Sequence, residues 1–144
     1  IDNEITLSEA RKSEMAVLFI DVDDFKHYND QYSHATGDQV LKFVARTIKG
    51  TVNEFGFAGR YGGDEFIACI RNAEINDPTR AAQDIISKLE EGFECDGVHL
   101  TVSVSIGISM IKDDYNTRVE YIIGKADDAM YSVKKNGKSN YAFI

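Results

Sequence analysis

Proline is almost absent, at one residue in 144, and no stretch rich in Ser, Gly or Pro interrupts the apolar pattern. That leaves no sign of an internal linker, repeat or low-complexity tract. At this length, with 43% hydrophobic residues, the chain has the size of one compact domain, and residues 1–144 are expected to form it. Long apolar runs are missing too. The run Ala16 to Ile20 is five residues, against the roughly 20 of a membrane-crossing helix, and no basic start with an apolar signal stretch follows it. Cysteine is scarce: Cys69 and Cys95 make no Cys-x-x-Cys spacing, so packing thiols in a reducing cytoplasm are expected. Basic residues are outnumbered 16 to 24, for a formal charge of -8. Broad attraction to nucleic acid or an anionic membrane is thereby excluded, and any anionic ligand must be gripped locally by a few lysines and a metal ion.

Met15 to Val22 is an apolar, partly β-branched run ending in acid, which suits a strand buried on both faces. Asp24 is placed to cap a short helix through Tyr32. Thr36 or Asp38 is placed to begin another, with Val40, Leu41, Val44, Ile48 and Val52 on one face. Phe55 to Tyr61 and Glu65 to Ile70 flank Gly62-Gly63 as a hairpin whose glycines can take positive φ. Pro78 opens a helical stripe of Ala81, Ala82, Ile85, Ile86, Leu89 and Phe93. From Leu100 to Met110 apolar and small polar residues alternate strictly, the pattern of a strand. Val119, Ile122, Ile123, Ala126, Met130 and Val133 make a last helix, closed by Asn136-Gly137 and followed by a strand, Tyr141 to Ile144. The order β-α-α-β-β-α-β-α-β predicts an α+β fold, a sheet covered by helices.

Asp21 and Asp23 stand two apart at a strand end, so an extended backbone would point both carboxylates to one side. Such a pair suits a hard divalent cation, which takes one or two carboxylates plus substrate phosphates. The other reading is that Asp21, Asp23 and Asp24 cap the next helix and complement its dipole. Gly62-Gly63-Asp64-Glu65 puts two more acids on a tight turn, which alone reads equally as a solvated type I′ turn. Together the two acidic groups are the set expected of a metal-assisted phosphoryl or nucleotidyl transferase. Competing motifs fail. The Asp21 to Tyr32 stretch lacks the glycine and glutamate of an EF-hand, Gly137-Lys138-Ser139 lacks the earlier P-loop glycine, and Gly56, Gly59, Gly62 and Gly63 lack dinucleotide-binding spacing. His27, His34 and His99 form no metal motif, and no serine sits in a nucleophile elbow. His27 and His99 are read as surface or strand-filling residues.

The segments Phe19-Ile20-Asp21-Val22-Asp23-Asp24-Phe25-Lys26, Asn29-Asp30, His34, Gly37-Asp38 and Arg60-Tyr61-Gly62-Gly63-Asp64-Glu65-Phe66 stand in one order. Val102 to Gly107, Ala126 to Tyr131 and Lys134 to Asn140 continue it. In this the chain resembles the GGDEF family of diguanylate cyclases from about Ala16 to its end. The resemblance implies a central, mostly antiparallel sheet flanked by helices, similar to nucleotidyl cyclase and polymerase palm domains. It implies that Mg2+, with Mn2+ as an alternative, is held by Asp21, Asp64 and the Val22 carbonyl. Glu65 would assist the attacking hydroxyl or a second metal, with Asp23 supporting the site and counted with Asp64 and Glu65 in the catalytic set. Asn29 and Asp38 would read guanine, and His34 would line the substrate pocket. Lys26, Lys134 and Lys138 would contact phosphate, as would backbone at Asp24 and Phe25, with Gly62 and Gly63 beside the ligand; the lysines also read as ordinary solvated helix ends. The implied reaction joins two GTP into cyclic di-GMP across a homodimer, which is transient or stable. The alternative is an inactive relative that binds GTP or only dimerises.

Three departures from the family pattern stand out. Ile1-Asp2-Asn3-Glu4 leads almost directly to the first strand, without the Asp-x-Leu-Thr-x-Leu segment and helix usual before it, so a longer natural protein with an upstream sensor domain is expected. Ser33 replaces the glycine usual before His34, a restriction if that position needs positive φ. Asn53-Glu54-Phe55-Gly56 stands where many members carry the Arg-x-x-Asp of an inhibitory product site.

Overall fold

A computed structural model of the chain describes residues 15–111 and 119–143. In order, the elements are β1 (Met15–Val22), α1 (Phe25–Gln31), α2 (His34–Val52), β2 (Gly56–Arg60), β3 (Glu65–Ile70) and α3 (Pro78–Glu91). They continue with β4 (Phe93–Cys95), β5 (Val98–Leu100), β6 (Val104–Ile111), α4 (Val119–Lys135) and β7 (Tyr141–Phe143). Five strands form one sheet in the order β2-β3-β1-β6-β7, and β4 pairs with β5 apart from it. Among the described residues only the β6-β7 pairing is parallel. The expected mostly antiparallel α+β sheet is therefore present. Residues 1–14, 112–118 and Ile144 lie outside the described residues, and with them the expectations for the chain's start and the last residue of the terminal strand.

β1 lies at the middle of the sheet because its two faces are both apolar. Ala16, Leu18, Ile20 and Val22 join the core formed with Val40, Val44 and Ile48 of α2 and Ala82, Ile85 and Leu89 of α3. Val17 and Phe19 point the other way, into a smaller cluster with Ile122, Ala126 and Met130 of α4. The result is three layers with the sheet in the centre.

Local chemistry sets the helix starts. Ser33 precedes α2 in extended backbone, φ -175°, and its hydroxyl accepts from the Thr36 amide at 3.1 Å. α2 thus begins at His34, earlier than Thr36 or Asp38 suggested, and position 33 needs no glycine because serine both fits the backbone and caps the helix. Asp77 caps α3 through the Thr79 amide, with Pro78 in the first turn. Phe93, read as the end of that helical stripe, instead opens β4 after Gly92 turns the chain at φ 84°. It stacks on Phe43 of α2 at 4.5 Å.

The β4-β5 hairpin was not expected: residues 94–99 carried no assignment, and Leu100, read as the start of one strand to Met110, instead ends β5, with β6 beginning at Val104. Asp96 and Gly97 both have positive φ, 50° and 81°, as the tightest hairpin turns require. In β5, His99 places Nδ1 2.6 Å from Glu94 Oε2 and Nε2 2.8 Å from the Glu91 carbonyl. Two acceptors on the two ring nitrogens favour the imidazolium, and the hydrogen bond with Glu94 raises the His99 pKa above its ordinary value. The stability this contributes is fully present below the free-imidazole pKa and fades as pH rises through the folded-state value. We expect the stability difference between wild type and His99→Asn, followed by urea unfolding, to be larger at about pH 5.5 than at about pH 8.5.

In β6 the alternation hides a second buried face. Ser105, Gly107 and Ser109 are as buried as Ile106 and Ile108, because α4 lies directly on them. A Cβ built at Gly107 would sit 1.8 Å from the Ala126 carbonyl oxygen and 2.4 Å from the Met130 amide. Both are helix backbone and cannot rotate away. Gly107→Ala should therefore push α4 off the sheet and cost about 1–3 kcal/mol or more by urea unfolding, whereas exposed Gly124→Ala should not destabilise.

Candidate active site

The site forms where β1 runs out beside the start of β3. Antiparallel register sets Asp21 opposite Glu65, and the Val22 amide donates to the Asp64 carbonyl at 3.1 Å. Asp21 and Glu65 share the α4 face of the sheet, as register partners must. α4, seated against Gly107, brings Lys134 to the same corner. The Lys134 ammonium lies 3.5 Å from Asp21 Oδ2, 3.1 Å from Asp23 Oδ1 and 3.5 Å from the Val22 carbonyl oxygen.

Burial and neighbouring acids raise the affinity of Asp21 and of Glu65 for protons. Burial first, opposed by Lys134 and reinforced by Asp64 and Glu65, pushes Asp21 up to about 6. Glu65 is also raised, by burial and then by Asp64 and Asp127, with Lys134 opposing. Asp21 Oδ1 is buried and has no hydrogen-bond partner, a costly state for a carboxylate oxygen. Such an oxygen, with Asp64 and the Val22 carbonyl close by, suits a hard divalent cation. Among the described residues no three His, Cys, Asp or Glu side chains form a ready cage.

Asp23 behaves differently from Asp21. β1 ends at Val22, and the Asp23 carboxylate turns inward, 3% exposed. It accepts from the Ser103 hydroxyl, from Ser105 Oγ at 2.6 Å, from Lys134 at 3.1 Å and from the Ser139 amide at 3.1 Å. Burial alone would raise its pKa, but these hydrogen bonds together bring it below the ordinary value. Its acceptor capacity is taken up by donors from three parts of the chain. Sequence reasoning gave Ser103, Ser105, Ser139 and Asp127 no role, although all four lie within the segments that carry the family resemblance and Ser103 and Ser105 alternate with apolar residues.

Asp24 does not cap α1. It stands in left-handed backbone, φ 52°, without a side-chain cap bond, and its carboxylate pairs with Lys138 at 2.9 and 3.0 Å. The partner loop is equally constrained, with positive φ at Gly137, Lys138 and Ser139. The glycine pair also departs from expectation: neither Gly62 nor Gly63 lies in the left-handed region, so the hairpin tip is no type I′ turn. Space and clamping shape it instead. A Cβ at Gly62 would meet Glu65 Oε1 at 2.5 Å, and the Arg60 guanidinium donates to the Gly62 and Gly63 carbonyls at 3.0 and 2.6 Å.

On the far side of α1, Asn29 packs against α2. A Cβ at Gly37 would fall 2.0 Å from Asn29 Oδ1, so the missing side chain gives the amide its place against α2. Asp38 is exposed and lines a pocket of about 230 Å³ with Leu41, Lys42, Ala45, Arg60 and Phe66. His34 is exposed at the first turn of α2 and Phe25 is half-buried near Gly37. Lys26 lines a different pocket, about 640 Å³, with Asp24, His27, Tyr28 and Asp30. The structure thus joins Asp21, Asp23, Asp64, Glu65 and Lys134 in one cluster, Asp24 with Lys138 in a second, and Asn29 with Gly37 in a third, while Asp38 lines its own pocket with Arg60 and Phe66.

Residues 1–140 match the profile of the family described as diguanylate cyclase, GGDEF domain. The chain belongs to the GGDEF family. It is 38% identical over 136 residues to Diguanylate cyclase A of Treponema denticola, covering 94% of this chain and 36% of that protein. It is 36% identical over 140 residues to Diguanylate cyclase DosC of Escherichia coli, covering 94% of this chain and 30% of that protein. The chain therefore spans about a third of these relatives. Among solved structures, the GGDEF domain of YfiN (TpbB) from Pseudomonas aeruginosa superposes with a TM-score of 0.87 at 33% identity, covering 97% of this chain and 89% of that one. The GGDEF domain of DgcB from Caulobacter crescentus, solved with c-di-GMP, gives 0.83 at 25% identity, covering 94% and 82%. No helix among the described residues is long and apolar enough to cross a membrane.

Proposed function

We propose that this GGDEF domain is the catalytic part of a diguanylate cyclase, condensing two GTP into cyclic di-GMP with loss of two pyrophosphates. The observation that carries the reading is the unpartnered, buried Asp21 Oδ1 beside Asp64 and Glu65. Asp21, Asp64 and the Val22 carbonyl would hold Mg2+, or Mn2+ in its place, which supplies charge neutralisation at the triphosphate and polarises the attacking hydroxyl. Glu65, whose proton affinity is raised, would take the proton of a 3′-hydroxyl. Asp23 holds Lys134 and the 137–139 loop in place. Lys134, Lys138 and Lys26 are the cations for phosphate, joined by backbone amides near Asp24 and Phe25 and by close approach at Gly62 and Gly63. Asn29 and Asp38 read guanine, whose N1 and N2 hydrogens a carboxylate can accept and which adenine does not offer, and His34 lines the entrance.

One domain holds one GTP, and a two-fold product needs two domains facing each other. The working unit is a homodimer, controlled by an upstream sensor domain in a longer, cytoplasmically facing protein. At low concentration the rate per mole of protein should rise in proportion to protein concentration. A rate per mole that stays constant on dilution to the assay limit would contradict assembly of the site from two separable copies.

Feedback by product should be weak. Asn53 and Glu54 are exposed, and Gly56 is buried where a Cβ would sit 1.9 Å from the Cys69 carbonyl oxygen. A carboxylate-bearing residue has no room at position 56, and Asn53 cannot replace a charged bidentate clamp. Titration calorimetry of nucleotide-free protein with cyclic di-GMP should find no binding tighter than about 1 μM. Tighter binding that Asn53→Ala weakens would reveal a divergent inhibitory site.

A further inference from the structure

On the reading of Asp21 and Asp64 as metal ligands, the metal corner already contains a positive charge. The Lys134 ammonium lies 3.5 Å from Asp21 Oδ2 but 3.1 Å from Asp23 Oδ1, so it leans on Asp21 and is held by Asp23. The two carboxylates are not equivalent hosts. Asp23 is pinned by Ser103, Ser105 and Ser139, whereas Asp21 has one oxygen near Lys134 and the other without any partner. We propose that Lys134 is a resident counter-cation: it partly neutralises Asp21 until a divalent ion takes that carboxylate, and Asp23 then keeps the ammonium beside the arriving phosphates.

Three features support this exchange. Lys134 is a point charge on a flexible stem, able to leave one carboxylate while keeping another. The base of that stem is fixed, because α4 is seated on Gly107 with backbone in close approach. Neutralisation is also incomplete: Lys134 reaches one Asp21 oxygen at 3.5 Å, while the other is buried with no hydrogen-bond partner. A divalent ion therefore finds an under-compensated site, and Lys134 is what it competes with.

The consequence is a variant in which metal affinity and catalysis move in opposite directions. The probe is Mn2+ alone, titrated at about pH 8, where ordinary carboxylates are ionised, into nucleotide-free protein and followed by the electron spin resonance of free Mn2+. Lys134→Met should bind Mn2+ about tenfold more tightly than wild type, since a unit charge beside the ligand is gone. The same variant should lose GTP turnover, because the phosphate-facing cation is gone too. Lys134→Arg, which keeps the charge, should bind Mn2+ within about twofold of wild type. Lys134→Gln reports the same tightening should the Met variant fold poorly by circular dichroism. A purely structural role would weaken both metal binding and turnover. Unchanged or weaker Mn2+ binding in both neutral variants overturns the counter-cation role, and it does so alone if Asp21→Asn abolishes Mn2+ binding as the metal reading requires. If Asp21→Asn binds Mn2+ like wild type, the metal reading falls and the exchange falls with it.

Discussion

Asp64→Ala should reduce cyclic di-GMP synthesis by about a thousandfold or more while leaving the domain folded. Asp64 contributes to the fold through its carbonyl, which accepts from the Val22 amide at 3.1 Å, and alanine keeps that carbonyl. Its carboxylate, by contrast, is one of the charges that raise both Asp21 and Glu65. Removing it should lower the proton affinity of both neighbours and take away a metal ligand, so the chemical defect is not a packing defect. The melting temperature should stay close to wild type, and the Mn2+ affinity should fall. Near-normal synthesis with an unchanged Mg2+ requirement would remove Asp64 from the site.

Asp38→Ala should narrow the preference for GTP over ATP by on the order of 1–3 kcal/mol, roughly five- to 150-fold, through lost hydrogen bonds to the guanine edge. Asp38 is exposed on α2 and caps nothing, so alanine costs little stability there and the effect belongs to the base. Asn29→Ala should act in the same direction. Its amide sits in the space left by Gly37, so Gly37→Ala should reproduce part of the Asn29 defect without touching either polar group. Competition between GTP and ATP at equal concentration, read as the ratio of products, is the measurement. An unchanged ratio in Asp38→Ala would show that the base is read elsewhere.

The element order of the main sheet and the acid cluster were legible in the sequence because both follow from short-range pattern. The Met15 to Val22 run is apolar on both faces, and that marked it as a strand buried on both sides; the acids at its end and on the next hairpin marked the chemistry. What was not legible depends on contacts across the fold. Ser105 and Ser109 look like the wet side of a strand, and only the arrival of α4 buries them. Asp24 has the residue type of a cap, yet its left-handed backbone and the pull of Lys138, 114 positions away, assign it elsewhere. Gly62-Gly63 suggested a turn demanding positive φ, but the tip is set by Arg60 and by room for Glu65. The β4-β5 hairpin was missed although Asp96-Gly97 is a strong turn signal, because the helical stripe was carried to Phe93 and the alternation taken up only at Leu100. Asp23 shows the same limit at the site. Spacing paired it with Asp21, while four donors brought in by β6, α4 and the loop after it give it a supporting role.

The central claim is tested most directly by incubating the domain, and a form extended on its N-terminal side, with equal amounts of GTP and ATP in the presence of Mg2+ and separating the nucleotides by chromatography. The account predicts that GTP is consumed in preference to ATP, with cyclic di-GMP and pyrophosphate appearing together, and that omission of Mg2+ or the Asp64→Ala substitution abolishes both products. GTP that binds with Mg2+ but is recovered intact from both forms would contradict it and mark a binding module in place of a cyclase.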